Sequence, residues 1–162
     1  MPEETGLILG EFRAAIDDRH RLSIPDKLVA QFAKPPVECI LAKERAGCLS
    51  LWEAARWRQR LESRVAIVEQ KLRAGVLDES RIGQVQLLGR LLSSRHAEAT
   101  LAERGRLVVP KSFRDFLGTE PGGDVLIVGA AVCIEIWSPT AWEHYLEARM
   151  PRFRKLFDKL SA

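Results

Sequence analysis

The sequence predicts a mainly β protein with flanking helices, an α+β class, assembled from two copies of one small unit. Three observations predict it. The stretch DRHRLSIP at residues 18–25 returns as ERGRLVVP at residues 103–110. Sliding the chain by 85 positions superimposes Ile16 on Leu101, Arg19 on Arg104, Arg21 on Arg106, Leu22 on Leu107, Ile24 on Val109 and Pro25 on Pro110. The same unbroken shift lays Leu41 on Leu126, Cys48 on Cys133, Trp52 on Trp137 and Trp57 on Trp142, so the 4 tryptophans fall into two pairs. An offset that aligns the rarest residue types marks an internal duplication. The expected organisation is a first unit at residues 7–57, a helical linker at 58–91, a second unit at 92–142 and a C-terminal helical extension at 143–162.

Each unit reads as short strands around one helix. The first offers GEFRAAI, RLSIP, VECILA and CLSLW, and the second RLVVP, DVLIVG and VCIEIW. Short runs rich in β-branched and aromatic residues, bounded by turn formers, suit strands. After each proline the period changes. In PDKLVAQFA the proline fits the first helical position and Leu28 and Phe32 share a face; PKSFRDFLG repeats this with Phe113 and Leu117 and closes at Gly118. Two strands, a helix and two strands bury too little apolar surface to stand alone. The two units are therefore expected to share one core.

The linker stretch AARWRQRLESRVAIVEQKLRAG spaces Trp57, Leu61, Val65, Val68 and Leu72 at helical intervals and ends at Gly75. A second helix carries Leu87, Leu88, Leu91 and Leu92. Residues 54–95 hold nine basic and four acidic side chains. They read as a packed helical pair with a solvated basic face, or as the source of an auxiliary contact through Arg56, Arg58, Arg60 or Arg64. The end of the chain, PTAWEHYLEARMPRFRKLFDKLSA, is basic, amphipathic and interrupted by Pro151. Trp142, Leu146, Phe153, Leu156 and Phe157 are expected to dock on the body or on a neighbouring subunit, with a membrane surface as the alternative.

Composition narrows the function classes. A chain of 162 residues with 46% hydrophobic content can bury one ordinary core or two small ones. No apolar run approaches the roughly 18–20 residues that span a bilayer. The start, MPEETGLILGE, is acidic and lacks the basic head and long apolar segment of an export signal, so a soluble, cytoplasmic protein is expected. Cys39, Cys48 and Cys133 form an odd set without C-x-x-C spacing, which argues for buried thiols over a disulfide framework or a zinc cage. His20, His96 and His144 stand in no metal-binding or nucleophile-elbow context, and no glycine-rich phosphate loop follows a strand. The reading is a non-enzyme with no metal, cofactor or small-molecule substrate.

The most informative place is the first hairpin. With Ile16 and Leu22 as inward ends of paired strands, Asp17 and Arg21 flank a three-residue loop, Asp18-Arg19-His20. Such loops place their last residue in the left-handed region, which favours glycine. The second copy has Gly105 there and the first has His20. Asp17 and Arg21 would face each other, the carboxylate steering the guanidinium while Arg19 projects. A surface ion pair alone would account for that arrangement. The duplication tells more: Ala102 replaces Asp17, yet Arg104 and Arg106 remain. Arginines kept without their carboxylate suit an external anion, and phosphate fits the guanidinium fork.

These residues resemble a known family. FRAAIDDRHRLSIPDKL and GCLSLWEAARW, with their second copies TLAERGRLVVPKSF and VCIEIWSPTAWEHY, look like MraZ. The resemblance covers both units and most of the chain. It implies tandem swapped-hairpin AbrB/SpoVT-like units that form a pseudo-twofold β-barrel. The family's D-x-x-x-R signature falls on Asp17 and Arg21, and in the second unit on Ala102 and Arg106; His20 stands where the family usually has glycine. Members bind DNA upstream of division and cell-wall gene clusters and assemble into rings. The resemblance thus implies a cytoplasmic, nucleoid-associated transcriptional regulator, partnered by double-stranded DNA and by copies of itself in a ring. The expected DNA-binding set is Arg13, Asp17, Arg19, Arg21, Arg104 and Arg106. Net charge is only +3, and the chain through Glu53 has 7 basic against 9 acidic residues, so the positive potential must be local and multiplied by self-association. An AbrB-like antitoxin, or an oligomer that has lost DNA binding, are the alternatives.

Overall fold

The computed structural model describes residues 6–162. The chain runs through β1 (Ile8–Ala15), β2 (Arg21–Ser23), α1 (Asp26–Phe32), β3 (Val37–Arg45), β4 (Cys48–Glu53), α2 (Ala54–Arg73) and α3 (Glu79–Arg95). It continues with β5 (His96–Leu101), a single 3-10 turn at Glu103–Gly105, β6 (Arg106–Val108), α4 (Lys111–Leu117), β7 (Asp124–Ala131) and β8 (Ile134–Trp137). The end is α5 (Pro139–Arg149), a second 3-10 turn at Met150–Arg152 and α6 (Phe153–Ser161). The class is the expected α+β, and both short helices start directly after their prolines, Pro25 and Pro110.

Six antiparallel strands form one sheet in the order β1-β7-β8-β4-β3-β5, while β2 and β6 form a separate ribbon. The first strand of each sequence copy pairs with the other copy: β1 with β7, β5 with β3. At the centre of the sheet Leu49 lies opposite Ile136 and Leu51 opposite Ile134; at the centre of the ribbon Leu22 lies opposite Leu107. Exchanging the copies maps each of these sets onto itself, so a pseudo-twofold axis runs through both. The barrel expected from the resemblance is open. The edges β1 and β5 do not pair with each other among the described residues, and each leads instead into the ribbon.

One expectation about register is corrected. Leu51 and Ile136 are 85 positions apart, but their partners Leu41 and Ile127 are 86 apart, so Leu41 corresponds to Ile127 and not to Leu126. The slip is taken up where β3 bulges between Lys43 and Arg45. A bulge inserts one residue on one strand and leaves the partner strand in place.

Alternation decides what each face buries. On one face Leu41, Leu49, Leu51, Ile127, Ile134 and Ile136 meet the ribbon's Leu22 and Leu107, and Ile16, Ile24, Leu28, Leu101, Val109, Phe113 and Leu117 complete one core drawn from both copies. On the opposite face Cys48, Leu126, Val128 and Trp137 are covered by Ala141, Trp142 and Tyr145 of α5. The linker forms the two expected helices. In α2, Trp57, Leu61, Val65 and Val68 are half-buried, while Ile67 and Leu72 are exposed; in α3, Leu87, Leu88 and Leu91 are exposed as well. Beyond α5, the aromatic and aliphatic face of α6 (Phe153, Leu156, Phe157, Leu160) is exposed, so docking on the body ends with α5. All three cysteines are buried and unpaired. Burial pushes the Cys39 thiol up to about 11 and Cys133 up to about 12, and Cys48 rises further for the same reason.

Candidate functional site

The first hairpin loop is built around one carboxylate. The Asp17 backbone N–H donates to the Arg21 carbonyl (3.0 Å) and the His20 N–H to the Asp17 carbonyl (3.1 Å), which closes the turn. Asp17 Oδ1 accepts from the backbone N–H groups of Arg19 and Arg21, both at 2.9 Å, and Oδ2 accepts from Arg21 Nε at 2.8 Å. The Arg21 backbone N–H, then its guanidinium and the Arg19 N–H, hold the Asp17 carboxyl below the usual carboxylate range. The pair stays open to solvent, with side-chain exposures of 47% for Arg21 and 39% for Asp17. Its value lies in fixing where the guanidinium points. His20 adopts the left-handed conformation expected of it, with φ of 57°.

The second loop keeps the frame without the clamp. The Ala102 N–H donates to the Arg106 carbonyl (2.9 Å) and the Gly105 N–H to the Ala102 carbonyl (3.1 Å). Ala102 has no side chain to accept the N–H groups that Asp17 satisfies, and the loop tightens into a 3-10 turn. Arg104 as well as Gly105 then becomes left-handed, with φ of 64° and 71°. A non-glycine residue there carries a cost of about 1–2 kcal/mol. Sequence reasoning placed glycine correctly at residue 105 and missed Arg104. A Cβ at Gly105 would collide with the Ile24 carbonyl oxygen, whose own N–H donates to the Gly105 carbonyl at 2.8 Å.

The ribbon joins the two loops. Leu22 and Leu107 point into the core, so the alternate positions Arg21, Ser23, Arg106 and Val108 form its exposed face. Arg21 pairs with Val108 and Arg106 with Ser23, which sets the arginines of the two copies diagonally across one face. Because the strands are antiparallel, the two loops sit at opposite ends of this face. A groove of about 400 Å³, lined by Ala14, Ala15, Asp17, Arg21, Leu22, Ser23 and Arg106, runs along it. Ser23 was not singled out from the sequence, although the alternation in RLS puts it on Arg21's side.

Of the six expected residues, the fold thus gathers Asp17, Arg21 and Arg106 around one groove. Arg19 and Arg104 stand exposed in the loops at its ends, and neither they nor Arg106 has an ion-pair partner among the described residues. Arg13 behaves differently. It lies on the outer side of β1 with its Nη1 bonded to Asp124 Oδ2 at 2.8 Å, bridging to the start of β7. No local pattern links residues 111 positions apart.

Fold and loops together define a duplicated β protein with interchanged strands and an arginine-bearing ribbon on its twofold. A family model described as "MraZ protein, putative antitoxin-like" matches residues 94–160. The proteins named "Transcriptional regulator MraZ" from Heliobacterium modesticaldum and Moorella thermoacetica are 29% and 27% identical to this chain over 154 residues each, spanning 95% of this chain and 96% of theirs. A solution structure from Pyrococcus horikoshii overlays 82% of this chain and 96% of its own at a TM-score of 0.34 and 13% identity, too loosely to carry an argument. Over most of its length the chain is thus similar to MraZ proteins, and its C-terminal half matches that family's model.

Proposed function

We propose that this protein is a DNA-binding transcriptional regulator, not an enzyme, and that the β2–β6 ribbon with its flanking loops is the DNA-binding surface. The relatives' shared name supports regulation of transcription. The observation that carries the surface is the convergence of Arg21 and Arg106 on one solvent-facing ribbon beside the Asp17 clamp. In this reading Arg21 and Arg106 grip phosphates or base edges along one groove, Arg19 and Arg104 reach further along the backbone, Asp17 orients Arg21, and Arg13 contributes from β1. The duplicated units at residues 7–57 and 92–142 supply one loop each, with 58–91 as linker and 143–162 as extension. Low net charge calls for several copies acting on one duplex, which a homo-oligomeric ring provides. The target is the promoter region of a division and cell-wall gene cluster, and the protein is cytoplasmic and nucleoid-associated. No helix among the described residues is long and apolar enough to cross a membrane.

The test is a salt titration of binding to the duplex just upstream of the protein's own gene. Each phosphate contact contributes about −0.9 to the slope of log affinity against log salt. The Arg19→Ala/Arg21→Ala and Arg104→Ala/Arg106→Ala variants should each flatten the slope and weaken binding. An unaltered slope in both would remove the ribbon from the reading, in favour of an oligomer that has lost DNA binding.

A further inference from the structure

The duplication supplies an internal comparison on the sheet face opposite the ribbon. In the second copy this face is filled. The Trp137 ring centroid stands 4.9 Å from that of Tyr145 and 5.1 Å from that of Trp142, and the Arg149 guanidinium lies 5.2 Å above Tyr145. Trp142 Nε1 donates to Glu11 at 2.8 Å. The 85-residue shift carries Tyr145 to Arg60, Arg149 to Arg64 and Glu11 to His96. The first copy therefore keeps its two indoles, Trp52 and Trp57, with centroids 5.5 Å apart, but has Arg60 where the second copy has the tyrosine ring. Beside them is a cavity of about 500 Å³, lined chiefly by Trp52, Trp57, Arg60, Arg64, Arg95 and His96.

The cavity is cationic and aromatic at once. The Arg60 guanidinium lies 4.8 Å above the Trp52 ring, and Arg64 has no ion-pair partner among the described residues. Arg95 donates through Nη2 to the backbone carbonyls of Lys43 (2.5 Å) and Glu44 (3.4 Å) and has no ion-pair partner among the described residues. The His96 ring stands 4.7 Å from Trp57, and its Nδ1 donates to the Leu92 carbonyl at 3.1 Å, which leaves Nε2 for another partner. The one carboxylate among the lining residues, Glu44, already accepts from Ser50 Oγ at 2.9 Å. Leu49 and Leu51 of β4 enter the core beneath the ribbon, so Trp52, next along the strand, faces the other way and the cavity is remote from the ribbon groove.

We propose that this cavity binds a nucleoside phosphate, the nucleobase packing on the indoles and the phosphates held by Arg60, Arg64 and Arg95. Its volume lies in the range of small-molecule sites, roughly 300–1,000 Å³. Indole faces accept any planar base, and guanidinium forks suit phosphate oxygens. Arg60, which occupies the position of Tyr145, both caps Trp52 and presents charge.

Calorimetric titration of the full chain with ATP, inorganic triphosphate and adenosine tests this. ATP should bind saturably, and the other two at least about tenfold more weakly, since each lacks one of the two recognised parts. Arg60→Ala and Arg64→Ala should each weaken ATP by about tenfold or more, the loss expected when a charged hydrogen-bond donor is removed. Arg149→Ala, the same change in the filled copy, should leave ATP binding as it is. Absence of saturation, equal binding of triphosphate alone, indifference to Arg60→Ala and Arg64→Ala, or an equal loss with Arg149→Ala would each overturn the proposal. So would duplex DNA binding that depends on Arg60 and Arg64 in a protein that ignores ATP, because the cavity would then be a DNA contact.

Discussion

Gly105 and His20 occupy the same position in the two copies, and the structure gives them opposite sensitivities to substitution. Both are left-handed, with φ of 71° and 57°. At Gly105 a side chain faces two penalties. Left-handed backbone costs a non-glycine residue about 1–2 kcal/mol, and forcing a Cβ into a filled space costs about 1–3 kcal/mol more. The second applies because the Cβ would meet the Ile24 carbonyl oxygen and approach Val29 Cγ2 at 3.2 Å. Gly105→Ala should therefore lose roughly 2–5 kcal/mol, and at about 2–4 °C per kcal/mol its Tm should fall by about 5–15 °C. His20→Gly runs the other way. It relieves the backbone strain but returns about 0.5–1 kcal/mol of freedom to the unfolded chain, so the net gain is about 0.5 kcal/mol and Tm should rise by about 1–2 °C. Thermal melts followed by circular dichroism at one protein concentration decide it, because self-association moves Tm with concentration. A Gly105→Ala protein melting within about 2 °C of the parent, or a His20→Gly protein melting below it, would refute the assignment of strain.

Two other regions yield expectations of their own. Burial holds the Glu135 carboxyl above the usual range, partly offset by the hydrogen bond from Trp137 Nε1 at 3.0 Å. A carboxyl whose pKa is raised by folding costs stability as pH rises through the raised value. Glu135→Gln, which keeps an acceptor for Trp137, should therefore raise Tm at neutral pH and match the parent below the ordinary glutamate range. At the end of the chain, α6 exposes Phe153, Leu156, Phe157 and Leu160 and its main contacts are with the turn before it. If α6 takes part in the proposed ring, a chain ending at Arg152 should elute as a smaller assembly in gel filtration, and an unchanged elution volume would mean that α6 plays no part in self-association.

Much of the loop architecture was legible because it depends on near neighbours. Three residues between Asp17 and Arg21 determine that His20 is left-handed, and the proline-led patterns of both short helices act within one or two turns. Strand exchange was not legible from alternation, since period-2 patterning tells which face a residue takes but not which strand lies beside it. The hairpin reading, with Ile16 and Leu22 at the ends of paired strands, is corrected accordingly: β1 pairs with β7 and β2 with β6. The Arg13–Asp124 bridge and the one-residue slip in β3 share a cause: both depend on tertiary partners that an ungapped comparison of the chain with itself does not contain. The left-handed Arg104 follows from an absence, since Ala102 cannot satisfy the N–H groups that Asp17 satisfies, and the turn rearranges to compensate.

That contrast between the loops makes a sharper experiment than deleting arginines. Asp17 places a negative charge beside the groove proposed for phosphates, so on charge alone Asp17→Ala should tighten DNA binding. Its carboxylate also receives the backbone N–H groups of Arg19 and Arg21 and the Nε of Arg21, all within 2.9 Å. On orientation, losing it frees both arginines to sample conformations that must be ordered again on binding, at about 0.5–1.5 kcal/mol for each long side chain. The attraction regained is screened by salt and by the solvent around an exposed pair, whereas the ordering cost is not. Orientation should therefore win at physiological ionic strength: Asp17→Ala weakens binding by several-fold with its salt slope nearly unchanged, and Ala102→Asp, which gives the second loop the same clamp, strengthens it. Tighter binding by Asp17→Ala would mean that the carboxylate serves only the loop's own stability and that the guanidinium needs no guide.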